Sequence, residues 1–364
     1  MHVALLEARG FRNLDRTCVE LGDGITLVHG PNGSGKTNLL EALCVGLTGA
    51  SWRTRADREL VRFGDGMARA EATVVDAGES RRFVASIVVG EGRHHRLNGS
   101  PVGPADVTLR PAMTVFSPDR MSLIKGPPSE RRRHLDRFAG GLWPSRSDLR
   151  RRYGRALAQR NALLARIRSG AAAPDALGAW DAELAAAAAE LVEARTEAVA
   201  ELAPPFASLA AALGLEGEAT LAYRPRTGTA DVGGIEAQLA SRRDADLHRG
   251  HSTHGPHLDE VAIALEGRAL RRFGSQGQQR MALLALIFAE RQVLLEARGV
   301  APLMLLDDVM SELDVDRRRL LVEVLHSGGQ ALITATEADH VPDGGEHAEV
   351  EITAGRIAAA AVAG

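Results

Sequence analysis

The chain has 364 residues, 45% of them hydrophobic, enough for a large core and two domains and too many for a disordered polymer. Net charge is −3, so no global excess draws nucleic acid, and any such signal must be local. Two cysteines far apart exclude a disulfide framework. With no apolar run of transmembrane length and no signal-peptide core, a cytoplasmic protein without a membrane partner is expected.

In chain order, residues 2–7, 17–21 and 25–28 read as short strands, with Gly22-Asp23-Gly24 as a tight turn. The third leads into Gly30-Pro31-Asn32-Gly33-Ser34-Gly35-Lys36-Thr37-Asn38 and a helix over 36–47 that stops at Gly49. Strands resume at 68–75 and 83–89; Leu97-Asn98-Gly99-Ser100 reads as a hairpin turn and 112–116 as a further strand.

From Arg131 the character changes. Residues 131–168 hold twelve arginines against Asp136 and Asp148, a local charge of +10. Leu149, Tyr153, Leu157, Leu164 and Ile167 have helical spacing over 146–168, and Gly170, Pro174 and Gly178 break it. A second helix is expected over 180–202, ended by Pro204-Pro205. Residues 137–245 therefore read as an inserted, mostly helical domain built on a helical hairpin. It interrupts one α/β domain made of segments 1–136 and 246–364. Alternation returns at 261–265. A long apolar helix (276–297), an apolar strand (303–306), a helix (315–326), a strand (331–336) and an edge hairpin (349–357) complete the chain.

Strand, glycine loop and helix occur in the order a P-loop requires. Glycines let successive backbone N–H groups converge on phosphate oxygens, and the new helix adds its positive end. Lys36 suits the β- and γ-phosphates of a nucleoside triphosphate, and Thr37 offers its hydroxyl to Mg2+. Two of 44 basic residues are lysines, and one stands here, where a planar guanidinium is no substitute. Leu303-Met304-Leu305-Leu306-Asp307 has the Walker B pattern, with Asp307 as second metal ligand. Asp308 stands where a general base or water-orienting group reaches the γ-phosphate. Gly274-Ser275-Gln276-Gly277-Gln278-Gln279-Arg280 opens a helix with a hydroxyl and a glycine, a second anion-suited start in a chain with one P-loop. Two facing protomers, each offering Ser275, Gly277 and Gln278 to the other's ATP, account for it.

The basic run supports two readings: an exposed face balanced by the acids of its partner helix, or a patch that neutralises DNA phosphates. In the second, Arg150, Arg151, Arg152 and Arg155 are the contacts, and duplex backbone is favoured because few aromatics interleave. His248, His251, His254 and His257 recur every three residues, but Gly250, Gly255 and Pro256 interrupt any regular element, so a structural or inter-protomer role is expected.

The P-loop, the serine-glycine-glutamine signature and the Asp307-Asp308 pair resemble ATPase heads of the ABC type, shared by SMC proteins and related repair ATPases. Phe116-Ser117-Pro118-Asp119, Lys125-Gly126-Pro127-Pro128-Ser129-Glu130-Arg131-Arg132, Thr253-His254-Gly255-Pro256-His257-Leu258-Asp259 and Leu306–Asp314 narrow the resemblance to the RecF family of bacterial recombination mediators. It spans about residues 1–340. The resemblance implies an α/β ABC-type, SMC-like head with an inserted helical domain that binds ATP and Mg2+. It implies an ATP-gated homodimer on double-stranded and gapped DNA. Acting with RecO and RecR, the dimer would help RecA load onto single-stranded gaps in repair and at replication forks. ABC heads usually carry Glu where Asp308 stands, and ABC transporter heads carry a histidine where Thr334-Ala335-Thr336 stands. Both departures imply a weak, DNA-stimulated ATPase that works as a switch. An ABC transporter ATPase subunit and an SMC-like structural ATPase are the alternatives, though an insert of about 110 residues is short for a long coiled coil.

Overall fold

Residues 16–20 alternate exposed and buried, whereas Leu303–Leu306 and Ala331–Ala335 are buried throughout. The first pattern belongs to a sheet with one covered face, the second to parallel strands covered on both. In the computed structural model, which describes residues 1–103, 106, 109–338 and 347–363, both kinds of sheet occur. The chain forms two units, Met1–Arg120 with Leu294–Gly364, and Met121–Val293.

The first unit opens with β1 (His2–Phe11), β2 (Leu14–Glu20), β3 (Ile25–His29) and α1 (Lys36–Thr48). Strands β4 (Met67–Asp76), β5 (Glu79–Val88), β6 (Gly92–Leu97), β7 (Ser100–Pro101) and β8 (Met113–Phe116) follow. The second unit comprises α2 (Ser122–Lys125), α3 (Pro128–Leu142), α4 (Leu149–Arg168), α5 (Leu177–Ala212), β9 (Ala219–Arg224), α6 (Val232–Ser241) and α7 (Arg243–Arg249). It continues through β10 (Glu260–Leu265), β11 (Arg268–Ala269), α8 (Leu270–Phe273) and most of α9 (Gln276–Arg298). The chain then returns to the first unit with β12 (Leu303–Leu306), α10 (Val315–His326), β13 (Ala331–Ala335), β14 (His347–Thr353) and β15 (Arg356–Ala363).

In the first unit an antiparallel sheet runs β2-β1-β4-β5-β6-β7, and a mainly parallel one runs β15-β14-β3-β13-β12-β8. Leu39, Leu40, Leu43, Val45 and Leu47 of α1 are fully buried and share one core with Leu6, Ala70 and Phe83 of the first sheet and Leu305 and Leu332 of the second. The helix buries nearly all its sides and is held without an amphipathic face. The turn at Asn98-Gly99 has both φ angles positive, 49° and 89°, the backbone of a two-residue hairpin whose twist matches its strands.

The second unit corrects two readings. The insert expected over 137–245 is too narrow: α3 packs on α5 and β10, and β9 pairs with β10 across the supposed boundary at 245. Composition marks the arginine-rich helices, but the β9–β10 pairing carries the unit past residue 245. Helix α5 also runs through Pro204 and Pro205 to Ala212 instead of stopping at 202. A proline inside a helix costs about 3 kcal/mol. Phe206 and Ala210, both fully buried beyond the prolines, and the packing of α5 on β9 offset it.

Candidate nucleotide site

Parallel β3 delivers the chain into the glycine loop, and α1 starts at its end. Gly30 has φ 147°, and a Cβ there would lie 2.2 Å from the Ile352 carbonyl oxygen, so any side chain would collide with backbone. Gly35, the residue before α1, has φ 119° and supplies no side-chain cap, and the first turn holds no acid. Helices α6 and α10, by contrast, are capped by Asp231 and Asp314. The first N–H groups of α1 and its positive end are thus left for an external anion.

Lys36 Nζ donates to the carbonyls of Gly30 at 2.7 Å and Pro31 at 3.0 Å, which holds the ammonium over the loop. Burial lowers its pKa, and the charges of Asp308 and Asp307 act the other way. Thr37 Oγ1 donates to Asp307 Oδ1 at 2.8 Å, joining the loop to the end of β12. The same carboxylate oxygen accepts from Thr334 Oγ1 of β13 at 2.9 Å, and the Thr334 hydroxyl accepts from the Asp308 N–H at 2.8 Å. Burial pushes the Asp307 carboxyl above its usual range, against the hydrogen bonds from Thr37 and Thr334, while the charge of Asp308 adds to the rise. A cation at this point would reverse that preference. Among the described residues no three His, Cys, Asp or Glu gather into a metal cage. A hydroxyl and one carboxylate fit Mg2+ that takes its remaining ligands from phosphate and water.

Sequence reasoning missed the layer behind the loop. Glu41, fully buried on α1, accepts from Arg12 at 2.9 and 3.0 Å, from Ser51 at 2.6 Å and from Arg53 at 3.1 Å. Asn13 Nδ2 donates to the Gly33 carbonyl at 3.2 Å and its Oδ1 accepts from Asn38 at 2.8 Å. Arg53 Nη1 donates to Asn38 Oδ1 at 3.0 Å, so both ends of the Asn38 amide are engaged in bracing the loop. An acid inside an otherwise apolar helical pattern, Glu41, was the available signal. Pro31, Asn32 and Gly33 are exposed, whereas the buried Ser34 hydroxyl has no hydrogen-bond partner among the described residues.

Ser275, Gly277 and Gln278 stand at the start of α9, in the second unit. Ser275 Oγ accepts from the Gln278 N–H at 3.2 Å, and Gln278 Oε1 accepts from the Ser275 N–H at 2.8 Å, a reciprocal capping box. The serine hydroxyl accepts in that bond, so its own proton remains available to an anion. Ser275 and Gly277 are exposed.

Arg150, Arg151, Arg152 and Arg155 are exposed on α4. Arg152 is held by Glu190 at 2.8 and 2.9 Å, Arg150 lies 3.6 Å from Asp136 and Arg151 3.6 Å from Asp148. Arg155 makes no ion pair among the described residues. The acidic partner helix therefore takes part of this charge. Arginines 131 and 160 of the same run are buried in internal pairs with Glu260 and with Asp181 and Asp246. Replacing all four α4 residues by Ala should still flatten the salt dependence of duplex affinity, by about 0.9 in log–log slope per lost phosphate contact. Arg151 and Arg155 should account for most of it. Unchanged affinity and slope in a binding titration would make the patch a solvated face. The histidine series does not converge: His254 bonds Gln238 and His257 bonds Tyr153, while His248 and His251 are exposed.

A parallel sheet with a glycine loop, an acid-ended β12 and a second, antiparallel sheet define a P-loop ATPase head of the ABC type. A family model described as the RecF/RecN/SMC N terminal domain matches residues 2–358. The chain is 36% identical to the DNA replication and repair protein RecF of Desulforudis audaxviator (strain MP104C) over 343 residues, 93% of this chain and 94% of that one. The solved structure of the recombination mediator protein RecF with ATP, in the RecFOR pathway, matches with a TM-score of 0.86 and 27% identity over 100% of this chain and 98% of that one. An SMC head bound to the winged-helix domain of ScpA shares the fold, with a TM-score of 0.61 and 16% identity over 100% and 98% of the two chains. The chain belongs to the RecF family. Among the described residues no helix is long and apolar enough to cross a membrane.

Proposed function

We propose that this chain is an ATP-gated, DNA-binding dimer of recombinational repair and replication-fork maintenance. The observation that carries the reading is the convergence of Thr37, Asp307, Thr334 and Asp308 beside a glycine loop whose helix start lacks an internal cap. Residues Gly30 to Thr37 receive the phosphates, Lys36 neutralises them, and Thr37 with Asp307 holds Mg2+, which stabilises the developing charge when bound. Asp308 accepts a proton from, or orients, the attacking water. Ser275, Gly277 and Gln278 close the site of the opposite protomer. The ATP-bound dimer holds duplex beside a gap through α4, works with RecR and RecO so that RecA loads on the single strand, and leaves on slow hydrolysis.

The test mixes two inactive variants, Lys36→Ala and Ser275→Arg. In a mixed dimer one site carries both defects and the other none. DNA-stimulated ATPase should return to at most about half the wild-type value per dimer. No return, with mixed dimers demonstrated by sedimentation, would overturn the shared site.

A further inference from the structure

The outward face of the antiparallel sheet carries a row that neither the loop nor α4 uses. Register sets Arg16 of β2 opposite Arg9 of β1, Arg9 opposite Arg69 of β4, Arg69 opposite Ser86 of β5, and Ser86 opposite His94 of β6. Their strand neighbours Ala8, Thr17, Ala68, Ala70, Ala85 and Ile87 are buried, so the row points away from the core. Neighbouring strands lie about 4.8 Å apart, so three guanidinium stems leave the sheet in line within roughly 10 Å.

Like charges directly opposite one another oppose strand pairing, and three in succession have no structural benefit. Their compensation is incomplete. Arg9 lies 3.9 Å from Glu7, and Arg69 lies 2.7 Å from Glu71, whose other oxygen is taken by Arg82 at 2.9 Å. Glu20 is the other acid on this face. Arg16 makes no ion pair among the described residues. At the same end of the sheet Phe63 is fully exposed and Met67, two residues before Arg69, is half-exposed. A protein partner needs an apolar centre with a charged rim, whereas here the charge forms the centre and the apolar residues the edge. A line of cations with the aromatic confined to its edge suits a duplex phosphate backbone, which offers charge and no unstacked base.

We propose that Arg16, Arg9 and Arg69 bind successive phosphates of duplex DNA, a contact surface separate from α4. This rests on the reading of the chain as a DNA-binding protein. The forked guanidinium suits phosphate oxygens, and bound phosphates relieve the repulsion along the row.

The test is a full-length variant with Arg9→Thr, Arg16→Thr and Arg69→Thr, threonine being well suited to strands. Anisotropy of a labelled duplex is followed against salt with ATP and Mg2+ present. The log–log slope should fall by about 2.7, so the wild type loses about 40-fold more affinity than the variant between 50 and 200 mM salt. The melting midpoint should equal or exceed that of the wild type, because the opposed charges are gone. Arg16→Thr alone keeps both partnered arginines and should lower the slope by about 0.9, which serves if the triple variant fails to fold. A wild-type slope in both variants overturns this surface and leaves the DNA-binding reading standing; a wild-type protein that ignores duplex overturns both. Loss of poly-glutamate binding with duplex binding intact assigns the row to an acidic protein instead, and overturns the proposal.

Discussion

An Asp308→Asn variant is expected to bind ATP and leave it uncleaved, with single-turnover hydrolysis down on the order of 100-fold or more. The substitution is close to isosteric and also neutral for the backbone. Asp308 has φ 51°, in the left-handed region that Asn adopts as readily as Asp, and its position is held by the N–H bond to Thr334 Oγ1 at 2.8 Å and by Ser311 Oγ on its carbonyl at 3.0 Å. Only the proton acceptor changes. Nucleotide binding by equilibrium dialysis separates chemistry from affinity. Hydrolysis within about threefold of wild type, less than an essential base supplies, would move the base elsewhere. Glu312 is the next sequence candidate; its side chain lies outside the described residues.

The second large effect is structural. Asp246→Ala should cost about 3–5 kcal/mol of unfolding free energy, because it strips a partner from a fully buried arginine. Arg160 and Asp246 are both 0% exposed and meet at 2.7 Å. The other oxygen of Asp246 accepts from the Thr253 N–H at 2.8 Å and from its hydroxyl at 2.7 Å, so three donors lose their acceptor together. Asp181, at 2.7 Å from Arg160 Nε, is shared with Arg243 and compensates only in part. Urea unfolding followed by circular dichroism checks the value. The double variant Arg160→Met with Asp246→Leu, which removes both charges, should recover most of the loss. An Asp246→Ala cost below about 1 kcal/mol would show that water enters and solvates Arg160, and would overturn the dry-pair account.

Most of the candidate site was legible in the chain because the capacity of a loop to bind phosphate is a local property. Successive N–H groups, one lysine and one threonine must come from consecutive residues, so Gly30 to Thr37 announce themselves, as does the apolar run that ends in Asp307. The helical hairpin of α4 and α5 was also legible, from its 3.6-residue period. What could not be read locally are the partners of buried charge. Glu41 looks like any helix acid until Arg12, Arg53 and Ser51 are brought to it, and the arginines of 131–168 look alike until Arg160 is buried and Arg155 is left exposed.

The sequence by itself therefore determined the family and marked Gly30 to Thr37, Asp307 and the turn at Ser275 as candidates, because each is a short string whose chemistry depends on its own neighbours. The tertiary structure alone decided three further things. It carried α5 through Pro204 and Pro205, since buried packing beyond a proline outweighs the lost hydrogen bond. It carried the second unit past residue 245, where β9 pairs with β10, as far as Val293. And it aligned Arg16, Arg9 and Arg69 in one row, because register between strands is set by the core face of the sheet and not by the charges it brings together on the other face.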